Sequence, residues 1–218
     1  MERREFKDFI YQAFSSIGKT LSSPKRIELL DLLTQGRKSV ETLASETDMS
    51  VANTSKHLQS LFEAKLVRYT KAKNHVYYEL ASEEVRNLVL ALRKTAEDRI
   101  SDVNGVRQDY ITRKNKLKTV SLADVKTKLD KDAVILIDVR PKDEYGSDHL
   151  PGAISVPLAQ LEGQLSSLPE DKPVIAYCRG PYCVYATEAV ERLQEKGYDA
   201  MVLDAGINEW KQIDGAGV

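Results

Sequence analysis

Hydrophobic positions at the start of the chain recur with the spacing of amphipathic helices. Apolar residues fall every three to four positions over Phe6–Ile17, which predicts a first helix that ends near Gly18. A second helical pattern restarts at Ser23-Pro24 and is stopped by Gly36; its apolar residues are Ile27, Leu29, Leu30, Leu32 and Leu33. The chain is therefore predicted to begin with two helices.

Two shorter helical patterns and two β-rich segments come next. The helices are predicted over 39–46 and 50–64, with Ser50 as the N-cap of the second. The runs Leu66–Thr70 and Val76–Leu80 lie on either side of the segment Lys71-Ala72-Lys73-Asn74, whose two lysines predict a hairpin with a basic tip. The order helix, helix, helix-turn-helix and hairpin indicates a small winged helix-turn-helix domain of the α+β class.

A long apolar stripe follows the hairpin. From Ser82 to Tyr110 the three-or-four spacing continues, which predicts one long helix, although Gly105 weakens the pattern. A small winged domain cannot cover such a stripe by itself, so either a second copy, giving a homodimer, or the second domain is expected to cover it. The basic segment Arg113–Lys118 predicts a linker. The predicted divisions are a winged domain, a helical and basic linker, and a second domain, over residues 1–100, 101–118 and 119–218.

The pattern changes from residue 119 onward, where helices alternate with short apolar strands. The predicted strands are Ala133–Asp138, Ala153–Val156, Val174–Tyr177 and Ala200–Leu203. Helical segments precede and separate them, beginning with Ser121–Leu129 and including Val184–Lys196. Strands separated by helices indicate a parallel sheet and an α/β domain.

Charge divides the chain at the same point. Residues 1–120 hold 22 Lys and Arg against 16 Asp and Glu, a net +6, and the remainder holds 10 against 17, a net −7. This asymmetry fits a domain that faces nucleic acid joined to one that does not, although chance variation between two domains gives the same pattern. No apolar run reaches the length of a membrane span, so no membrane partner is expected. With two cysteines and no secretion signal, the expected compartment is the reducing cytoplasm.

The second helix of the helix-turn-helix carries polar residues near its start, where a recognition helix reads base edges. Asn53 is suited to adenine, Lys56 to guanine or phosphate, and Thr54 to the DNA backbone. The residues of this helix predicted to face the core are Val51, Leu58, Leu61 and Phe62. Basic side chains of the hairpin would add salt-dependent phosphate contacts. The predicted DNA-binding residues are Ser50, Asn53, Thr54, Lys56, His57, Arg68, Lys71 and Lys73.

Short motifs of the first domain lie at Thr42–Ala44, Ser50, Thr54–Leu58, Leu61 and Ala64–Val67. Through them residues 1 to about 100 resemble the ArsR family of winged-helix repressors. The resemblance implies a dimer, joined through its first and last helices, that binds double-stranded operator DNA and leaves it when an inducer binds. A winged helix used only for protein contacts is the alternative. Many relatives sense metals, but this chain has no cysteine before Cys178 and no histidine pair at helical spacing, so neither a metal site nor a cofactor is predicted.

Both cysteines lie in the segment Cys178-Arg-Gly-Pro-Tyr-Cys183, directly after a predicted strand and before a predicted helix. At such a position, unpaired backbone N–H groups and the helix dipole favour an anion, so the Cys178 thiolate is expected to be stabilised. Gly180 would let the loop curl so that its amides ring the sulfur, and Arg179 would add positive charge.

Further motifs of the second domain lie at 137–140, 144–145, 149–154, 156–157, 203–206 and 209–210. Together with the cysteine loop they make residues 119–218 resemble a single rhodanese domain. The resemblance implies that Cys178 takes a sulfane sulfur from a small donor (thiosulfate, polysulfide or persulfide) and passes it to a nucleophilic acceptor. The implied cradle is Arg179, Gly180, Pro181, Tyr182 and Cys183. Phosphatases and arsenate reductases related to rhodaneses use a longer Cys-x5-Arg loop, and since this loop ends in Cys183 without that arginine, sulfur fits better than phosphate.

Two interpretations remain open for some of the other residues near the loop. Asp138 and Arg140 fall at a strand end beside the loop, either in the catalytic site or as a structural ion pair. Cys183 departs from the Arg, Thr or Ser expected at the sixth loop position, and it would either attack a persulfide on Cys178 or remain a buried thiol. His149 and Trp210 are expected to pack.

The sequence thus predicts a dimeric cytoplasmic repressor whose rhodanese domain senses reactive sulfur by persulfidation of Cys178. The long helix would transmit the change to the recognition helices. The alternatives are an active thiosulfate or persulfide sulfurtransferase that DNA binding merely localises, and a dithiol sensor of peroxide or trivalent arsenic.

Overall fold

The computed structural model describes residues 1–113, 116–169 and 171–215, and the chain divides between Ala96 and Glu97 into two units. The predicted linker 101–118 is not a separate segment in this structure, because residues 101–111 form a helix of the second unit. Residues 114 and 115, at the centre of the basic stretch predicted as the linker, lie outside the described residues.

The first unit has the predicted order of helices followed by a hairpin. Its helices are α1 (Arg3–Leu21), α2 (Pro24–Leu33), α3 (Val40–Glu46), α4 (Val51–Glu63) and α5 (Glu83–Arg99), which ends beyond the division. Its strands are β1 (Lys38–Ser39), β2 (Val67–Ala72) and β3 (His75–Leu80), paired antiparallel in the order β1-β3-β2. The core is built mainly from leucines of α2, α3 and α4, namely Leu29, Leu30, Leu33, Leu43, Leu58 and Leu61.

The first helix continues past Gly18 to Leu21, so the predicted end is wrong by three residues. A single glycine costs about 1 kcal/mol in a helix and does not have to end it. The helix ends instead where Ser22 donates its hydroxyl to the Lys19 carbonyl and Pro24 starts α2. None of the residues of α1 is buried, and Phe6, Phe9 and Phe14 are at least half exposed.

The predicted long helix is two helices, and this expectation from the sequence is wrong. The helical stretch is interrupted at Ile100, whose φ of −105° and ψ of 103° are extended, and α6 (Ser101–Ile111) begins after it. Gly105, the residue that weakened the prediction, lies inside α6. Ile111 is buried in the core of the second unit, and Arg107 forms an ion pair with Asp204 at 2.6 Å. Packing within the second unit therefore fixes α6.

The second unit is an α/β layer structure around a five-stranded parallel sheet. Its strands are β4 (Thr119–Val120), β5 (Ile135–Asp138), β6 (Ile154–Ser155), β7 (Val174–Tyr177) and β8 (Ala200–Leu203), in the order β4-β8-β7-β5-β6. Its remaining helices are α7 (Leu122–Asp130), α8 (Lys142–Ser147), α9 (Leu161–Gln164), α10 (Tyr185–Glu195) and α11 (Ile207–Gly215). The predicted parallel sheet is confirmed, whereas α8 lies in a segment predicted to be a loop and β4 was not predicted.

The central strand β7 is buried on both faces, as expected for a parallel sheet with helices on each side. Its side chains alternate between two cores: Val174 and Ala176 join one, and Ile175 and Tyr177 the other. β7 therefore delivers its carboxyl end, and Cys178 directly after it, to the middle of the sheet. Within the part of the chain that the structure describes, no helix combines the length and apolar character needed to cross a membrane.

Candidate functional site

The recognition helix α4 begins at the predicted cap, because the Ser50 hydroxyl accepts from the Asn53 amide at 3.2 Å. Asn53 and Lys56 are exposed and His57 is half-buried, so these three side chains remain available to DNA. Thr54 is fully buried and donates its hydroxyl to the Ser50 carbonyl at 3.0 Å. The expectation that Thr54 contacts the DNA backbone is therefore corrected.

The buried face of α4 is set by Thr54, Leu58 and Leu61, which recur at the spacing of one helix face. The expectation that Val51 and Phe62 face the core is wrong, since their exposed fractions are 49% and 38%. Phe62 instead packs against the ring of Tyr69 on β2, with ring centroids 5.1 Å apart. This aromatic contact joins the recognition helix to the base of the hairpin.

The two strands of the hairpin are longer than predicted, and the turn that joins them is shorter. Ala72 pairs with His75, so the turn consists of Lys73 and Asn74, and Lys73 has a positive φ of 54°. Lys71 is exposed on β2 rather than at the tip. Arg68 lies at the base and forms an ion pair with Glu79 at 3.1 Å on the opposite strand. Lys73 is thus the predicted phosphate-binding residue nearest the end of the wing.

The cysteine loop occupies the carboxyl end of β7, between that strand and α10. Cys178 is 1% exposed, and its sulfur is joined to that of Cys183 in a disulfide with the Cα atoms 6.0 Å apart. The Cys183 amide donates to the Gly180 carbonyl at 3.1 Å, so this amide closes a turn in the loop. The geometry answers the question that the sequence left open: the two sulfurs can meet.

The guanidinium of Arg179 is held by a buried carboxylate. Arg179 makes hydrogen bonds of 2.7 and 3.0 Å to Glu144 of α8 and lies over the ring of Tyr185. The side chains of Arg179 and Glu144 are 11% and 1% exposed, so this charge pair is almost fully removed from water. The positive charge expected beside Cys178 is therefore balanced by Glu144.

Two glycines allow the loop to approach the turn after β8. Gly180 has a φ of +144°, which side-chain-bearing residues rarely adopt. At Gly206 an added Cβ would lie 2.6 Å from the carbonyl carbon and oxygen of Arg179 and 2.7 Å from the Gly180 nitrogen. The Glu209 carboxylate accepts from the Gly206 amide at 2.7 Å and also lies close to Gly180. Backbone packing, rather than side-chain contacts alone, therefore sets the shape of the loop.

Asp138 and Arg140 form a buried ion pair of 2.6 Å, with exposed fractions of 0% and 1%. The Tyr177 hydroxyl donates to Asp138 at 2.6 Å and in turn accepts from the Leu150 amide at 3.0 Å. Burial alone would lower the pKa of Arg140, but hydrogen bonds and charge from Asp138 outweigh it and raise that pKa. Burial, reinforced by the Asp138 charge, also raises the pKa of Tyr177. The pair thus links the end of β5 to the end of β7 through Tyr177, and a catalytic role for Asp138 and Arg140 stays a prediction.

Sequence reasoning missed two residues that shape the loop. Glu144 and Gly206 both fall within motifs that carried the resemblance, but neither was given a role. Their function depends on α8 and on the turn after β8 meeting the loop in space. Only the motif match itself could have signalled them.

The fold and the two sites define a DNA-binding helix-turn-helix unit joined to a rhodanese-like unit. Residues 21–70 match the helix-turn-helix domain family and residues 121–213 match the rhodanese-like domain family. Along most of its length the chain is 35% identical to the HTH-type transcriptional regulator Rv0324 of Mycobacterium tuberculosis, over 89% of this chain and 85% of that protein. The chain belongs to this family of helix-turn-helix transcriptional regulators, and here the regulator carries a C-terminal rhodanese-like domain.

Two further similarities cover one unit each. A sulfurtransferase of Allochromatium vinosum is 30% identical over 82 residues, covering 37% of this chain and 75% of that protein. A solution structure from Mycobacterium bovis, described as the homodimeric winged helix-turn-helix DNA-binding domain of a possible ArsR-family regulator, is 30% identical. It covers 46% of this chain and 92% of that chain, with a TM-score of 0.43.

Proposed function

We propose that this transcriptional regulator is a dimeric cytoplasmic repressor whose Cys178–Cys183 pair senses sulfane sulfur. The observation that carries the proposal is the disulfide itself. It joins Cys178, at the carboxyl end of the central strand, to a second thiol five residues along the same loop. Disulfides are rare in reducing compartments, and those that form there are usually catalytic or redox-sensing.

The chemistry balances with a persulfide donor alone. The Cys178 thiolate attacks the sulfane sulfur of a donor R–S–SH, a new S–S bond forms, and RS⁻ leaves. The Cys183 thiolate then attacks the Cys178 sulfur and expels HS⁻, which closes the Cys178–Cys183 disulfide. The two thiols lose two electrons and the sulfane sulfur gains them, so no other oxidant is needed.

The same geometry supports a sensor over a turnover enzyme. A sulfurtransferase must keep its nucleophile free for the next donor, whereas a disulfide to Cys183 removes it. With Glu144 pairing Arg179, the loop does not rely on that arginine to bind an anionic donor. A single capture of sulfur that leaves the loop disulfide-linked is suited to regulation.

The first unit supports DNA binding as a dimer. Asn53, Lys56 and Lys73 present polar and basic groups on the recognition helix and the wing tip. The aromatic side chains of α1 are exposed along a helix with no buried residues, and a second copy would cover this apolar face. The related domain from Mycobacterium bovis is described as homodimeric, in line with this arrangement.

The test is DNA affinity at fixed salt, with operator fragments from upstream of the gene and reduced, polysulfide-treated and peroxide-treated protein. Polysulfide should weaken binding at least tenfold, about 1.4 kcal/mol of coupling. Cys178→Ser and Cys183→Ser should each abolish the response. If intact mass shows that polysulfide has closed the Cys178–Cys183 disulfide, or has left sulfur on Cys178, and the affinity stays the same, the sensing proposal is wrong. A response to peroxide alone would make the chain a dithiol redox switch instead.

The second candidate is a sulfurtransferase localised on DNA, favoured by the position of Cys178 and by the similarity to a sulfurtransferase. It requires sustained turnover of thiosulfate with cyanide by the wild-type protein. The sensing proposal expects turnover to stall as the disulfide forms and to rise in Cys183→Ser, which lacks the resolving thiol. Turnover that is faster in the wild type than in Cys183→Ser would favour the enzyme.

A further inference from the structure

The loop between the two cysteines reaches a second structural element through Tyr182. This residue precedes Cys183, and its hydroxyl donates to Oε1 of Glu97 at 2.7 Å. Pro181 and Tyr182 also line one side of an apolar cavity of about 470 Å³. The other side is a face of α6 with the residue before it, formed mainly by Ile100, Val103, Val106, Tyr110 and Ile111.

Glu97 lies where α5 ends and α6 begins. Its carbonyl accepts from the side-chain amide of Asn104 at 3.1 Å, across the interruption at Ile100. The last carbonyls of a helix lack partners within the helix, so Asn104 supplies one of the bonds that end α5. Glu97 therefore bonds to the cysteine loop through its carboxylate and to α6 through its backbone.

The helix α6 gives this junction a fixed base. The Arg107–Asp204 ion pair and the buried Ile111 hold α6 against the rest of the second unit. The Thr187 hydroxyl also donates to the Ile111 carbonyl at 3.4 Å. Since α6 is fixed, a change in the loop is expected to act on the end of α5.

We propose that Tyr182 is a positioning residue that couples the state of the Cys178–Cys183 pair to the end of α5. This inference rests on the proposed function and names the route of its regulation. With the sulfurs joined, residues 178–183 form a closed ring, and Tyr182 is held with its hydroxyl at Glu97. In the reduced chain Cys183 is free to move away from Cys178, and Tyr182 moves with it.

The difference between the two states then appears at Glu97. A modification shifts an equilibrium only through contacts that differ between its two states, and the Tyr182–Glu97 bond is such a contact. From Glu97 the helix α5 runs back without interruption to Glu83 in the first unit.

Hydrogen exchange over residues 97–104 of the full chain tests this inference. It is measured in fully disulfide-linked and in fully reduced protein, and thiol counting verifies each state. Exchange in the wild type should be at least about fivefold slower in the linked state, the lower end of usual coupling effects. Tyr182→Phe and Glu97→Ala should remove this difference. Glu97→Gln keeps an acceptor oxygen for the hydroxyl and should retain it.

The matched control is Tyr198→Phe. It also removes one tyrosine hydroxyl from the second unit, which donates to the Leu165 carbonyl at 2.8 Å, and it should leave the difference intact. Equal exchange in the two wild-type states, or a full difference in Tyr182→Phe, would overturn the inference.

DNA affinity measured on the same preparations separates the two proposals. If linkage alters exchange at residues 97–104 but not DNA affinity, sensing by the regulator fails and the Tyr182 contact stands. If linkage alters DNA affinity equally in wild type and Tyr182→Phe, the sensor stands and Tyr182 is not its route.

Discussion

The buried Glu144–Arg179 pair allows a quantitative test of how the cysteine loop is held. Glu144→Gln removes the carboxylate charge and leaves a guanidinium that is 11% exposed beside a neutral amide. Removing one partner of a buried pair costs about 3–5 kcal/mol, because the remaining charge stays desolvated. Since the amide oxygen of the glutamine still accepts one hydrogen bond, we expect the lower end, about 3 kcal/mol off the free energy of unfolding.

The assay uses Trp210, the single tryptophan of the chain, which packs in the second unit. Its fluorescence in urea, with reductant present, reports on this unit and avoids treating a two-unit chain as one transition. At a slope of about 1.5 kcal/mol per molar urea, a loss of 3 kcal/mol lowers the midpoint by about 2 M.

A second arginine–glutamate pair in the same unit provides the control. Glu191 accepts from Arg113 at 3.1 Å but is 39% exposed, so Glu191→Gln should cost less than about 1 kcal/mol. Replacing both buried partners, in Glu144→Leu with Arg179→Met, should recover much of the loss, because no unpaired charge remains. Equal midpoint shifts for Glu144→Gln and Glu191→Gln would refute the reasoning.

Three further predictions follow from the loop, the wing and the buried tyrosine. In Gly206→Ala the new Cβ meets the Arg179 backbone, so the variant should lose thiols to polysulfide more slowly than the wild type. Its free energy of unfolding, followed by Trp210 fluorescence, should fall by about 1–3 kcal/mol. Gly163→Ala, with open space at its Cβ, is the control and should not slow thiol loss. Lys73→Ala should reduce the slope of log DNA affinity against log salt by about 1 for each wing, and Arg68→Ala, already paired with Glu79, should reduce it less. The raised pKa of Tyr177 means that the folded chain keeps a proton that the unfolded chain releases above about pH 10. The free energy of unfolding should therefore fall as the pH rises above about 10, by up to about 1.4 kcal/mol per pH unit. It should fall less steeply in Tyr177→Phe. An alkaline slope unchanged by Tyr177→Phe would contradict the last of these.

Features that depend on local periodicity could be predicted from the sequence. The strand Val174–Tyr177 was predicted with its observed bounds, because a four-residue apolar run between Pro173 and Cys178 is too short for a helix. The cap at Ser50 was predicted for a similarly local reason. The placement of Cys178 at the strand end follows from these local signals.

Features that depend on tertiary packing could not be predicted in this way. The interruption at Ile100 carries no glycine or proline, and the apolar spacing continues through it, so only the fixing of α6 by its own unit reveals it. Thr54 was expected to contact DNA because threonine is polar, yet its hydroxyl is satisfied inside the helix by the Ser50 carbonyl. Glu144 lies 35 positions before Arg179, and a charge pair across that separation requires the three-dimensional fold.

These contacts bear on why a rhodanese-like fold would serve a regulator. The fold places a cysteine at the end of its central strand, in the loop that leads to helix α10. Two residues change what that cysteine can do here. Cys183 is joined to it in a disulfide, which under the proposed mechanism would end each sulfur capture, and Glu144 balances the charge of Arg179 in the same loop. Under this proposal, a loop that loses its nucleophile after one reaction would catalyse poorly but would record that the reaction took place, and such a record could regulate transcription.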